Sequence, residues 1–223
     1  MLKKNFLKTK EKIPLEKFLY VTTIVYILLM VASNVMASKV LAFGGLVIDA
    51  GTLTYPLTFM IGDLLAELFG YKRTANVILW GFAGNFLFCL CALAGAVMPA
   101  LDPNDPITRA YDTLFTYNLR IVGASFGAYL AGALVNAGSL VLIRRLTGPK
   151  WLGFRTIGST ALGALVDTAL FTGLAWAFTL PGEELFRMIY SGYAVKMLYE
   201  IIIATPLDYA LSPLIRKRVR LPT

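Results

Sequence analysis

Long apolar runs alternate with short charged stretches along the whole chain. A helix needs roughly 20 predominantly apolar residues to cross the hydrocarbon core of a bilayer. Six segments reach or approach that length: residues 18 to about 40, 53–69, 74–98, 119–146, 154–180 and 185 to about 214. The second is short and carries Asp63 and Glu67, which leaves a re-entrant segment as the alternative to a span there. The loop 99–118 is the longest on its side, and Pro99, Pro103 and Pro106 keep it from being helical throughout. The pattern predicts an all-α membrane protein of six transmembrane helices. Residues 18–215 form its transmembrane domain, between a basic N-terminal tail (1–17) and a basic C-terminal tail (216–223).

The charged stretches orient the bundle. Lys and Arg in short loops accumulate on the cytoplasmic side. Lys3, Lys4, Lys8, Lys10, Lys12 and Lys17 precede the first run. Lys72 and Arg73 follow the second, and Arg144, Arg145, Lys150 and Arg155 follow the fourth. Arg216, Lys217, Arg218 and Arg220 close the chain. The alternate loops carry Asp49, then Asp102, Asp105 and Asp112, then Glu183 and Glu184. All four basic clusters share one side only if the number of spans is even. This favours a true second span and puts both termini in the cytoplasm. No small-residue cleavage site follows the first run, which therefore reads as a retained helix and not a signal peptide.

Composition agrees and excludes some chemistry. Of the 223 residues, 57% are hydrophobic and 15% charged, against about 25% charged in soluble domains, and the mean hydropathy is +0.68. The net charge of +8 lies in the loop clusters and not on one folded face, which argues against nucleic acid as a partner. Histidine is absent, so the commonest general base and metal ligand is missing. Cys89 and Cys91 are two apart in an apolar run, a spacing that does not bring side chains together on a helix. No metal site, cofactor or nucleophile–base arrangement emerges. The Asp63–Glu67 pair is the one feature an intramembrane enzyme could use.

Ionisable and polar residues inside the runs carry the functional signal, because a charge at mid-membrane costs about 2.5–3.5 kcal/mol on insertion scales. Asp167 is near the middle of the fifth run, Lys196 and Glu200 flank the middle of the sixth, and Asn85 is central in the third. Asp63 and Glu67 lie in the inner half of the second; Asn34 and Lys39 lie in the outer half of the first; Arg120 opens the fourth. Asp63 with Glu67, and Lys196 with Glu200, are four apart and share a helix face. Ser159, Gly163 and Asp167 form one small-residue stripe, and Arg120, Gly123, Gly127 and Ala131 another; such stripes let helices approach closely. A homodimer face at Gly123 and Gly127 uses the same motif as intrachain packing. Each charge has a plain alternative. Lys39 and Arg120 can snorkel to headgroups, Lys72 and Arg73 can neutralise Asp63 and Glu67, Lys196–Glu200 can be a structural pair, and Asn85 can bond a neighbouring helix. Asp167 is hardest to explain this way, since no opposite charge lies within a turn of it.

Residues 34–70, SNVMASKVLAFGGLVIDAGTLTYPLTFMIGDLLAELFG from Ser33 onward, resemble the first block of the queuosine-precursor transporter family, also described as a vitamin uptake group. The matching positions are Asn34, Lys39, Tyr55–Pro56, Asp63, Glu67 and Phe69–Gly70. A second block matches at Arg120, Ser125, Ala128, Arg155, Ser159–Thr160 and the VDTALF of 166–171, and a third at Lys196 and Pro206. The resemblance implies a multi-pass protein of the prokaryotic inner membrane that imports 7-deazaguanine bases such as preQ0, preQ1 or queuine. It also implies a fold akin to the substrate-binding subunits of energy-coupling-factor importers, which hold a small ligand near the outer face. The alternative function is such a subunit, dependent on an ATPase; Ala83–Asn85 is a weak candidate for its docking face. A 7-deazaguanine presents N1–H and an exocyclic amine side by side, and one carboxylate accepts from both. Its O6 takes a donor from Asn, Lys or Arg, and its flat ring suits walls such as Tyr55, Phe59 or Phe171. The candidate binding residues are therefore Asn34, Lys39, Tyr55, Phe59, Asp63, Glu67, Asn85, Arg120, Asp167, Phe171, Lys196 and Glu200, with Asp167 as the reader of the guanine-like edge and Lys196 and Asn85 near it.

Overall fold

The computed structural model describes residues 13–147 and 152–219. The basic residues of positions 1–12, Lys150 and Arg220 lie outside the described residues, as do the side chains of Asp63, Glu67, Arg144, Arg155 and Arg216. Seven helices follow one another: α1 (Leu15–Met36), α2 (Tyr55–Phe69), α3 (Tyr71–Ala96), α4 (Pro106–Thr147), α5 (Leu152–Trp176), α6 (Gly182–Tyr199) and α7 (Thr205–Arg218). Four contain a stretch long and apolar enough to cross a membrane: Leu15–Met36, Lys72–Ala96, Pro106–Asn136 and Ile157–Trp176. The exterior is strongly apolar, and the interior holds polar side chains among its apolar ones. Leu28, Trp80 and Ile202 are each more than 60% exposed, whereas Asn34, Asn85 and Asp167 are 3% exposed or less.

Between α1 and α2 the chain forms a small antiparallel hairpin. Strand β1 (Val40–Phe43) pairs with β2 (Leu46–Asp49) in the register Val40–Asp49 to Phe43–Leu46. The two turn residues, Gly44 and Gly45, have φ of 58° and 81°. Both central positions of this tight hairpin turn need positive φ, which glycine adopts without steric cost. A 3-10 turn (Ala50–Leu53) follows. The hairpin lies over one end of the bundle and is held by a hydrogen bond from the Val47 amide to Ser191 Oγ on α6 (3.2 Å). The opposite end carries both termini of the described chain: the Ile13 amide donates to the Arg218 carbonyl (2.8 Å). These are called below the hairpin end and the terminal end.

Two other boundaries differ from the apolar pattern. α4 starts at Pro106, thirteen residues before the predicted run at Leu119, and absorbs most of the predicted loop. Proline at the first helical position has no amide to leave unpaired, so Pro106 starts the helix and does not break it. The last run is not one helix. After α6 the chain passes through a π-helical turn (Glu200–Ala204) before α7. Pro206 accounts for the interruption, because it cannot donate to a carbonyl four residues back and its ring crowds that position.

α4 and α5 touch most closely at two glycines. A Cβ on Gly132 would lie 2.9 Å from the Gly163 carbonyl oxygen and 2.8 Å from Asp167 Cβ; one on Gly163 would lie 2.8 Å from the Gly132 carbonyl oxygen. The Gly163–Asp167 stripe thus faces protein as its spacing indicated. The α4 side of this contact is Gly132; of the Gly123–Gly127 stripe, Gly123 is exposed with nothing within 4 Å of a Cβ position, while a Cβ on Gly127 would lie 3.8 Å from Leu174 Cδ1 on α5. Near the terminal end, Tyr26, Met30, Leu64, Leu65, Leu68, Val77 and Phe82 form an apolar cluster joining α1, α2 and α3.

Candidate functional site

Six segments converge beneath the hairpin. α1 brings Ser33 and Asn34, both 2% exposed. Asn34 Nδ2 donates to the Met30 carbonyl (3.1 Å), which fixes the amide inside the bundle. The 3-10 turn brings Asp49, Gly51 and Thr52 against the end of α1. A side chain at position 51 would lie 2.4 Å from the Ser33 carbonyl oxygen, so only glycine permits this approach. Asp49 is held as a cap: Oδ1 accepts from the Thr52 amide (3.0 Å) and Oδ2 from the Thr52 hydroxyl (2.8 Å). α2 adds Tyr55, α4 adds Ser125, α5 adds Asp167 and Phe171, and α6 adds Lys196. These residues line a cleft of about 340 Å³.

Lys196 Nζ lies 2.8 Å from Asp167 Oδ2, with the two side chains 12% and 4% exposed. The same ammonium stands 5.4 Å from the centroid of the Tyr55 ring, a cation–π distance. The acid deepest in the fifth run therefore has its partner on another helix. Burial raises the Asp49 carboxyl above the ordinary carboxylate range; the Thr52 hydroxyl and amide and the positive charge of Lys196 oppose that rise.

Of the sequence-derived candidates, Asn34, Tyr55, Asp167, Phe171 and Lys196 line this cleft. Phe59 and Glu200, together with Asp167 and Lys196, line a second cavity toward the terminal end. Lys39 is exposed and lines neither. Arg120 lines neither: its Nε donates to the Leu174 carbonyl (2.8 Å) and its Nη2 to that of Ala177. With Tyr117, whose hydroxyl donates to Ala175 (2.6 Å), it satisfies carbonyls that the end of α5 leaves without helical partners. Asn85 is 1% exposed and borders neither cavity, and its amide atoms have no hydrogen-bond partner among the described residues. Asp63 and Glu67 sit on α2, their side chains outside the described residues.

Sequence reasoning did not single out Ser33, Asp49, Gly51 or Thr52. Asp49 was counted among the charges of an outer loop, yet it is 8% exposed. The available signal was GGLVIDAGT: two glycines between apolar tetrads mark a hairpin, and Asp three residues before Thr marks a capped turn.

The family model described as "Putative vitamin uptake transporter" matches residues 49–211, from the cap acid of the cleft into α7. The chain belongs to this transporter family. It is accordingly a multi-pass membrane transporter and not an enzyme. A "Probable queuosine precursor transporter" of Bacillus subtilis is 25% identical over 186 residues, covering 83% of this chain and 80% of that protein. A protein of the same description from Haemophilus influenzae is 26% identical over 180 residues, covering 78% and 72%. No solved structure matches the transporter. Among the described residues no group of three or more His, Cys, Asp or Glu is placed to hold a metal ion.

Proposed function

We propose that this transporter imports 7-deazaguanine queuosine precursors, such as preQ0, preQ1 or queuine, across a prokaryotic inner membrane, and that the cleft beneath the hairpin is where the base binds. The observation that carries the reading is the composition of that cleft: two carboxyl groups, a cation, a buried amide and two aromatic rings in one small space. These are the groups a guanine-like base requires. Asp167 accepts from N1–H and the exocyclic amine, Lys196 or Asn34 donates to O6, and Tyr55 and Phe171 flank the ring plane. The descriptions of the two relatives support the substrate class.

In this reading the chain crosses the membrane six times, with both termini cytoplasmic and the hairpin outside. α2, with 15 residues, and α6 with the π turn and α7 supply the two spans beyond the four long apolar helices. The basic clusters then share the inner face. A ligand cleft near the outer face is also what substrate-binding subunits of energy-coupling-factor importers present, which keeps an ATPase-dependent importer as the second reading.

Uptake into liposomes holding the purified chain tests both, with a panel of 7-deazaguanines, guanine and unrelated vitamins. Saturable uptake of a 7-deazaguanine in preference to guanine is expected. Equal transport of guanine would make the named substrate wrong, and binding without uptake until ATPase subunits are added would favour the second reading.

A further inference from the structure

The pair Asp167–Lys196 borders two cavities, not one. The second, about 850 Å³ counting the solvent at its open side, is lined in part by Phe59, Tyr129, Asn136, Thr160 and Glu200. Four helices agree on its position relative to the first. On α2, Tyr55 faces the first cleft and Phe59, one turn farther from the hairpin, faces the second. On α4, Ser125 borders the first; Tyr129, Gly132 and Asn136, each farther along, border the second. On α5, which runs the other way, Phe171 borders the first, and Ala164, Gly163 and Thr160 border the second. On α6, Met197 and Glu200 continue past Lys196 away from the hairpin. Thr160 is seven residues from Asp167, a rise of about 10 Å at 1.5 Å per residue. The cavities therefore lie in line along the bundle, and both include Asp167 and Lys196 in their walls.

Their chemistry is repeated. The first holds the Asp49 carboxylate, the Asn34 amide, the Ser33, Thr52 and Ser125 hydroxyls and the rings of Tyr55 and Phe171. The second holds the Glu200 carboxylate, the Asn136 amide, the Thr160 hydroxyl and the rings of Phe59 and Tyr129, whose centroids are 6.1 Å apart. The cation of the pair, Lys196, immediately precedes Met197 and stands four residues before Glu200, where the π turn begins. Such turns are frequent at functional sites.

We propose that the second cavity is a second binding station for the same planar, polar base on the side of the termini, and that the Asp167–Lys196 pair is the partition between the two stations. The base is held first by the hairpin-side set and then by the Glu200–Asn136 set, with the pair parting to let it pass. The identity of the base rests on the function proposed above; the existence of two compartments with a partition does not.

The test separates the two. In sealed vesicles, the full chain with Cys89→Ser and Cys91→Ser receives single cysteines at Thr52 or Thr160 and is treated with a membrane-impermeant thiol reagent from either face. Thr52→Cys is expected to react from the hairpin face only and Thr160→Cys from the terminal face only. Reaction of both from one face, or of Thr160→Cys from neither, overturns the partition whatever the substrate is. The second arm uses radiolabelled 7-cyano-7-deazaguanine and Ala164→Phe, which fills the second cavity. Binding from the hairpin face should stay within about twofold of the unmodified chain while uptake falls at least about tenfold, a difference of 1.4 kcal/mol in effective barrier. Unchanged uptake, or equal loss of binding and uptake in a labelling-competent variant, overturns the second station. Absence of any binding to the unmodified chain refutes the substrate assignment and leaves the labelling result to judge the partition alone.

Discussion

One turn of α1 separates two regions that are stabilised in different ways. Met30 is fully buried in the apolar cluster that joins α1, α2 and α3, and Asn34, 2% exposed, borders the cleft beneath the hairpin. The Asn34 amide even donates to the Met30 carbonyl. In lipid, an apolar side chain gains little by leaving the acyl chains for a protein interior, so the Met30 cluster stabilises the bundle through close packing alone. The cleft pays the opposite penalty. Asp167, Lys196 and Asp49 are withdrawn from water at a cost that only partners offset. In the function proposed above, the cleft is kept because the ligand needs it, and the packed region holds the helices that carry its polar groups.

Breaking the ion pair should have the largest effect. Asp167→Asn leaves Lys196 without its partner, and loss of one member of a buried pair costs about 3–5 kcal/mol. Ligand-free melting in detergent should fall accordingly. Affinity should fall as well, by roughly tenfold to a few hundredfold, since a donor would face the ligand's donors at about 1–3 kcal/mol. The double variant Asp167→Asn/Lys196→Met removes the unpaired charge and should regain much of the melting temperature without regaining affinity. If both recover together, Asp167 holds the fold and does not read the base.

Met30→Ala is the complementary change on the other side of the comparison. Buried Met→Ala substitutions cost about 2–5 kcal/mol in soluble cores, and the low end is expected here because lipid solvates the side chain well. Melting should drop while affinity for the base stays unchanged. A loss of affinity comparable to that of Asp167→Asn would mean that the two regions are not separable. Arg120→Gln should be milder still, costing about 1 kcal/mol for the weakened bonds to Leu174 and Ala177, again with affinity intact.

How much of this was legible follows the same division. The apolar runs announced α1, α3 and α5 because hydropathy is a local, one-dimensional signal. Their depth also picked out Asp167, Lys196 and Asn34, since an acid, a lysine or an amide inside an apolar run stands out whatever its partner. Spacing alone matched Lys196 to Glu200; only the expected ligand chemistry put Lys196 near Asp167, where the ion pair joins α6 to α5. Contacts between helices depend on how each is rotated, which one sequence does not encode locally. Asp49 was missed for a related reason. A carboxylate between two apolar runs reads as a surface loop until the Gly44–Gly45 turn folds its strand back over the bundle. Pro106 and Pro206 misled in opposite senses: one opens a helix and the other interrupts one.

The smallest expected effect is the most specific to the cleft. The buried Asp49 carboxyl titrates above its ordinary value, so the folded chain holds the proton more tightly than the unfolded one. The sign follows from linkage: a group whose folded-state value is raised costs stability once it ionises. Stability should therefore decline as pH rises from the unfolded value of about 3.8 through the folded one, and then level off. Asp49→Asn keeps a carbonyl oxygen to accept from the Thr52 amide, and the Thr52 hydroxyl can turn to accept from the new amine. The variant should melt near the unmodified chain at low pH and lack its decline as pH rises above about 4. Lys196 sharpens the point, because its charge favours the ionised form of Asp49. In a Lys196→Met background the decline should deepen and extend to higher pH, and adding Asp49→Asn should abolish it. Identical pH profiles with and without Lys196 would mean that the ammonium does not reach Asp49 across the cleft, and that the two carboxylates of the site act independently.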